Sequence, residues 1–205
     1  MAVTLNASTS SGLVQTADTS GNIELQSNGT TKATVSSSGL AIGQYNPSTS
    51  LVTSGTAVAT TSGTSIDFTS IPSWVKRITV VLKGVSTNST SNLLIQIGSG
   101  SITSSGYLSV ATYLTTSGNA ATSTAGFILQ AYNSTGVLSS GNITLSLISS
   151  NTWVASGVIS LYEFLGTQMS AGNSSALGGA LDRIRITTVN GTDTFDAGSI
   201  NILYE

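Results

Sequence analysis

The chain has 205 residues with six Lys or Arg, eight Asp or Glu, no His and no Cys, for a net charge of -2. This composition excludes Ser-His-Asp and Cys-His catalysis, an ordinary zinc site and any disulfide staple, and it supplies no basic field for nucleic acid. Charged residues are 7% of the chain against about 25% in an ordinary soluble domain, about a third of the residues are Ser or Thr, and no charged side chain lies between Lys83 and Glu163. Mean hydropathy is +0.27, yet no apolar run approaches the roughly 18 residues that cross a bilayer, so no membrane insertion is expected. The opening MAVTLNAST lacks the basic and apolar regions of a secretory leader. Seven Asn-x-Ser/Thr triplets, at Asn6, Asn28, Asn88, Asn133, Asn142, Asn173 and Asn190, are what chance places in a chain this rich in Asn, Ser and Thr.

Residues 1–53 read as an arm. Short apolar pairs recur with turn chemistry between them: Leu13 and Val14, Ile23 and Leu25, Ala33 and Val35, then Leu40 and Ile42. Asn28-Gly29 is a hairpin signal, because both central residues of a type I′ turn need positive φ. So few large apolar side chains cannot offset the entropy of ordering the arm. Leu13, Val14, Ile23, Leu25, Val35 and Ile42 are therefore the expected contacts to other copies or to another protein. Asn46-Pro47 and a Ser/Thr/Gly run then mark a linker.

Residues 54–205 carry period-two patterning in many short segments. Strands are predicted near 56–60, 64–69, 76–85, 92–98, 106–114, 125–133, 142–149, 152–162, 182–189 and 198–204. Between 64–69 and 76–85 stands Pro72, which belongs at a corner, with Trp74 just beyond it to close one end of a core. The tail from Leu181 matches this pair in character and is expected to share one sheet with it. A helix near Ser170–Leu181 is the one helical candidate, and its Gly and Ser content argues against it. The fold class is all-β: a short N-terminal β-repeat or extended arm followed by an antiparallel β-sandwich of jelly-roll type.

Few residues invite chemistry. Gly98-Ser-Gly100 lacks the third glycine of a dinucleotide loop, no phosphate loop is present, and no cofactor is expected. Asp193 and Asp196 fall in one turn and are the weak candidates for a surface metal ion or, with Asp182, for a glycosidase pair about 5 to 9 Å apart. The plainer reading is that they bond local amides around Asn190-Gly191 and Gly198. Trp74 and Trp153 read as core or end-cap residues. Tyr107, Tyr113 and Tyr132 lie in the charge-free middle and are expected on an outer surface able to meet a neutral saccharide or a partner. Arg183 and Arg185 share one strand face, where Asp182 is at hand for pairing.

Gln15-Thr16, Gly21, Ile23, Leu25-Gln26, Gly29, Thr31, Ala33, Val35, Gly39 and Ile42-Gly43, within Gly12–Gly43, resemble the short β repeats of tailed-bacteriophage tail-fibre and related appendage proteins. About one such unit is present, without a chaperone-like tail, so a long shaft is not implied. The stretches SIDFTSIPSWVKRITVVLKGVST, NTWVASGV and LDRIRITTVNGTDTFDAGSINILYE together resemble a module of tailed-phage virion proteins. The resemblance implies a non-enzymatic virion protein assembled in the host cytoplasm. It would be a homotrimer whose arm attaches to tail or capsid proteins and whose outer domain faces the host, with a host-surface glycan as a further partner. A short tail-fibre or appendage protein is the leading expectation and a capsid decoration protein the alternative; a carbohydrate-cleaving tailspike is a third.

Overall fold

The computed structural model describes residues 21–42, 52–114, 118–164 and 166–205. Contacts divide the chain into two compact units, 1–51 and 52–205. In the first unit β1 (Ile23–Ser27), β2 (Thr30–Ser36) and β3 (Gly39–Ile42) form an antiparallel sheet in sequence order. The β1–β2 turn is the predicted one: Ser27 pairs with Thr30, and Asn28 and Gly29 both take positive φ, 52° and 71°. Register then decides the faces. Ile23 pairs with Val35, which pairs with Leu40; Leu25 pairs with Ala33, which pairs with Ile42. Residues directly opposite in a sheet share a face. Ile23, Leu25, Ala33, Val35 and Leu40 therefore line one side of this small sheet.

The second unit is an all-β, two-sheet structure. Its strands are β4 (Thr53–Ser54), β5 (Val58–Ala59), β6 (Ser65–Thr69), β7 (Arg77–Thr87), β8 (Leu93–Ser99), β9 (Ser101–Ile102), β10 (Tyr107–Tyr113) and β11 (Asn119–Ser123). They continue through β12 (Phe127–Ile128), β13 (Ser139–Ser149), β14 (Thr152–Leu161), β15 (Gly166–Ser174), β16 (Arg183–Thr188) and β17 (Phe195–Tyr204). A 3-10 turn, Tyr162–Phe164, leads from β14 toward β15. The larger sheet runs β11-β10-β15-β14-β13-β7-β17-β4 with β5 also on β17, and the smaller runs β12-β8-β16-β6 with β9 on β8. Every pairing is antiparallel.

Alternation puts one set of side chains from each sheet between them. Ile78, Val80, Leu82, Ile143, Leu145, Trp153, Ile159, Ile200 and Ile202 of the large sheet join Ile66, Phe68, Leu93, Ile95, Ile97, Ile184 and Ile186 of the small one in a single buried cluster. The β8 strand is buried on both faces, because Leu94 packs outside the main cluster with Ile128 and Ala111.

The corner at Pro72 corrects one expectation. β6 and β7 do not share a sheet: β6 edges the small sheet while β7 lies inside the large one, and the tail follows suit, β16 pairing with β6 and β17 with β7. The turn at Ile71-Pro72 thus carries the chain from one layer to the other. The Ile71 amide is held by the Asp182 carbonyl at 3.0 Å and Val75 turns back onto the Pro72 carbonyl at 3.1 Å. Trp74, half exposed, tilts against Tyr204 at 5.9 Å and covers that end.

Four strands of the second unit lie outside the predicted set: the two-residue β4 and β9, and the longer β11 and β15. β11 carries no large apolar residue, and β15 occupies most of the Gly/Ser stretch where a helix was the candidate. On β15 the inward positions are Gln168, Ser170, Gly172 and Ser174. Three of the four have a clear local reason. Gln168 Oε1 accepts from the Ala131 and Tyr132 amides while its Nε2 donates to the Tyr132 carbonyl at 2.7 Å. Ser174 Oγ accepts from the Trp153 amide at 3.1 Å, and a Cβ at Gly172 would fall 2.7 Å from the Leu108 carbonyl oxygen.

Candidate interaction surfaces

The two outer faces of the sandwich differ in chemistry. Over the small sheet, Arg185 makes a two-pronged bond to Asp67, 2.8 and 2.7 Å, and Arg183 does the same to Asp182, 2.7 and 3.2 Å. The Arg183 guanidinium holds the Asp182 carboxyl below the usual carboxylate range, helped by the Gly100 amide. Beside them lies a polar depression of about 210 Å³, bounded by Gln96, Arg185, Thr187 and Asn190 among others. Its groups are already occupied: Gln96 Nε2 donates to the Ala125 carbonyl and Thr187 Oγ1 to the Thr64 carbonyl. Such exposed pairs fix side chains in place and contribute little to stability.

Over the large sheet the outward positions are Leu108, Val110 and Thr112 on β10, Met169, Ala171 and Asn173 on β15, and Val154, Ser156 and Val158 on β14. The register aligns them in rows, Leu108–Asn173–Val154, Val110–Ala171–Ser156 and Thr112–Met169–Val158. Neither these strands nor β11 and β13 carry a charged residue. Small side chains at the centre leave a shallow depression of about 420 Å³ bounded by Val110, Val158 and Met169. Leu108, Val110, Val154, Val158 and Met169 are all exposed, Leu108 the most at 68%. Exposed apolar side chains are thus interleaved with small polar ones over this face.

Two of the three predicted outer tyrosines, Tyr107 and Tyr113, are buried. Tyr107 is 1% exposed; its hydroxyl accepts from the Ile97 amide at 2.9 Å and donates to the Thr103 carbonyl at 2.9 Å, and its ring meets Phe127 edge-on at 5.0 Å. Tyr113 is also buried and stacks on the half-buried Tyr132 at 5.8 Å. Tyr107 and Tyr113 alternate inward on β10, and Leu108 and Val110 take the outward positions there. Burial of Tyr107 pushes its pKa from 10.0 up to about 12, the bond from the Ile97 amide opposing only part of the shift. The stability gained by keeping this phenol neutral is fully present below pH 10 and is lost as pH rises toward about 12, because the unfolded tyrosine ionises first. Ultraviolet titration is expected to show one tyrosine ionising late and together with unfolding, and Tyr107→Phe is expected to abolish that late step.

Asp193 and Asp196 serve different neighbours. Buried Asp193 accepts from the Ser91 amide at 3.0 Å and from Asn190 Nδ2 at 2.5 Å; exposed Asp196 accepts the Ser86 hydroxyl. The turn amides of Thr192 and Asp193 are capped by Asn190 Oδ1, at 3.0 and 3.2 Å, and not by the aspartates. Among the described residues no group of three or more His, Cys, Asp or Glu side chains comes together.

Of the predicted arm contacts, Ile23, Leu25 and Val35 are exposed on the apolar face of the small N-terminal sheet, beside exposed Leu40. Ile42 pairs with Ala33 in β3, while Leu13 and Val14 lie outside the described residues. The outward face of β10, β14 and β15 was not predicted; its signal was available in the pairing of apolar residues at both parities of β10. Comparison with protein-family models, with curated proteins and with solved structures found no match.

Proposed function

We propose that this chain is a structural, self-associating virion protein, a short homotrimeric tail-fibre or appendage protein that contributes to host recognition. The arm is the attachment and trimerisation element, and the sandwich is the outward domain. The observation that carries the assembly role is the arm sheet, where three short strands turn Ile23, Leu25, Val35 and Leu40 to one side and leave each of them more than two-fifths exposed. Four large apolar side chains exposed together on one sheet face are the kind of surface that another protein surface covers. The virion setting rests on the likeness of Gly12–Gly43 to phage appendage repeats.

Replacing Ile23, Leu25 and Val35 together by Lys tests this reading. These side chains are exposed, so the sandwich retains its fold, while three cations on one face oppose packing against a copy. Sedimentation at about 1 μM is expected to show the parent at three times the 20.7 kDa chain mass and the variant no longer trimeric. An unchanged mass in the variant removes the arm from the assembly.

A further inference from the structure

We propose that the charge-free outer face of β10, β14 and β15 is a second interface, and that its occupant is the same face of another copy of this chain. The inference goes beyond the arm contact and stands on different residues.

Three features select a second copy. Strands about 4.8 Å apart and residues about 3.3 Å apart give the face of β10, β15 and β14 a flat footprint of roughly 14 by 23 Å, which the uncharged flanking strands β11 and β13 widen to about 550 Å². Standing side chains raise its accessible area into the range of about 600 to 1,000 Å² per partner that stable interfaces use. The five strands carry no charge, so the face neither repels its own copy nor offers a handle to an acidic or basic partner. Isologous two-fold contacts of a patch with itself are the commonest assembly mode.

The face also has relief that a copy can fill. Val110, Val158 and Met169 rim a depression floored by Ala171, Ser156 and Gly157. Met169 is unbranched and adapts its shape, and it is the side chain that fills the copy's depression.

Met169 also provides the readout. The chain has two methionines, Met1 and Met169, and peroxide converts an accessible thioether to the sulfoxide. With the full-length protein, the oxidation rate of Met169 relative to Met1 is expected to fall at least fivefold, by mass action, as protein concentration rises from about 1 to about 100 μM. Val158→Lys, at an exposed position, is expected to remove that protection while the far-ultraviolet circular dichroism stays that of the parent. The arm variant Ile23→Lys/Leu25→Lys/Val35→Lys separates the two contacts: protection of Met169 that persists in it at high concentration supports an independent second interface. A Met169 rate that does not change with concentration, in a parent that sediments as a trimer, overturns the second interface and leaves the arm contact standing. An unchanged rate in a parent that sediments as a monomer overturns both.

Discussion

Trp153→Ala is expected to destabilise the sandwich by about 3 to 5 kcal/mol, the range for removing a large aromatic from a packed core. Trp153 is 2% exposed and sits in the shared cluster with Ile143, Leu145 and Ala155 at the β13–β14 hairpin. The side chain contributes through its bulk alone, since its Nε1 has no hydrogen-bond partner among the described residues. Trp153→Phe removes that unsatisfied donor together with part of the volume, and its cost is expected to be less than half that of the alanine variant. Urea unfolding of the two variants beside the parent measures the difference. Equal losses would mean that the indole N–H is bonded.

Gly198→Ala is expected to cost about 3 kcal/mol or more, through overpacking of backbone together with strain at positive φ. Gly198 takes φ +95°, and a Cβ there would lie 2.3 Å from the Gly84 carbonyl oxygen and 2.6 Å from that of Lys83. The site is where the β7–β17 ladder shifts register twice, between Phe195 and Ala197 and between Ala197 and Ser199. The Gly198 carbonyl accepts from the Thr60 amide at 3.0 Å, and the adjacent Ala197 carbonyl accepts the buried Thr60 hydroxyl at 2.6 Å. Displacing the glycine therefore loosens the strand that joins the tail to the centre of the large sheet. Thermal unfolding of Gly198→Ala beside Gly178→Ala, where a Cβ meets nothing within 4 Å, isolates the effect.

How far the sequence carried these conclusions differs from element to element. The arm hairpin was legible because Asn28-Gly29 has one good conformation between paired strands, and β13 because Ile143, Leu145 and Leu147 alternate with small polar residues. β15 was not legible, since its inward positions are small or amide side chains bonded to the backbone of segments far away in the chain. The tyrosines were misplaced for a related reason. β10 presents apolar residues at both parities, Tyr107, Ala111 and Tyr113 on one side and Leu108 and Val110 on the other, so alternation cannot tell core from surface. That ambiguity is itself the trace of a second sticky face. The Asp67–Arg185 pair joins residues 118 apart in the chain, and only the β6–β16 register brings them together.

The central claim is that this chain leaves two apolar sheet faces for other copies to cover, first of all the face of its N-terminal arm. Sedimentation of the intact protein at micromolar concentration, combined with limited proteolysis of the first fifty residues, tests it most directly. The account predicts a particle of three times 20.7 kDa whose arm becomes protease-sensitive as dilution separates the copies. A 20.7 kDa monomer with a protease-resistant arm at the same concentration would contradict it.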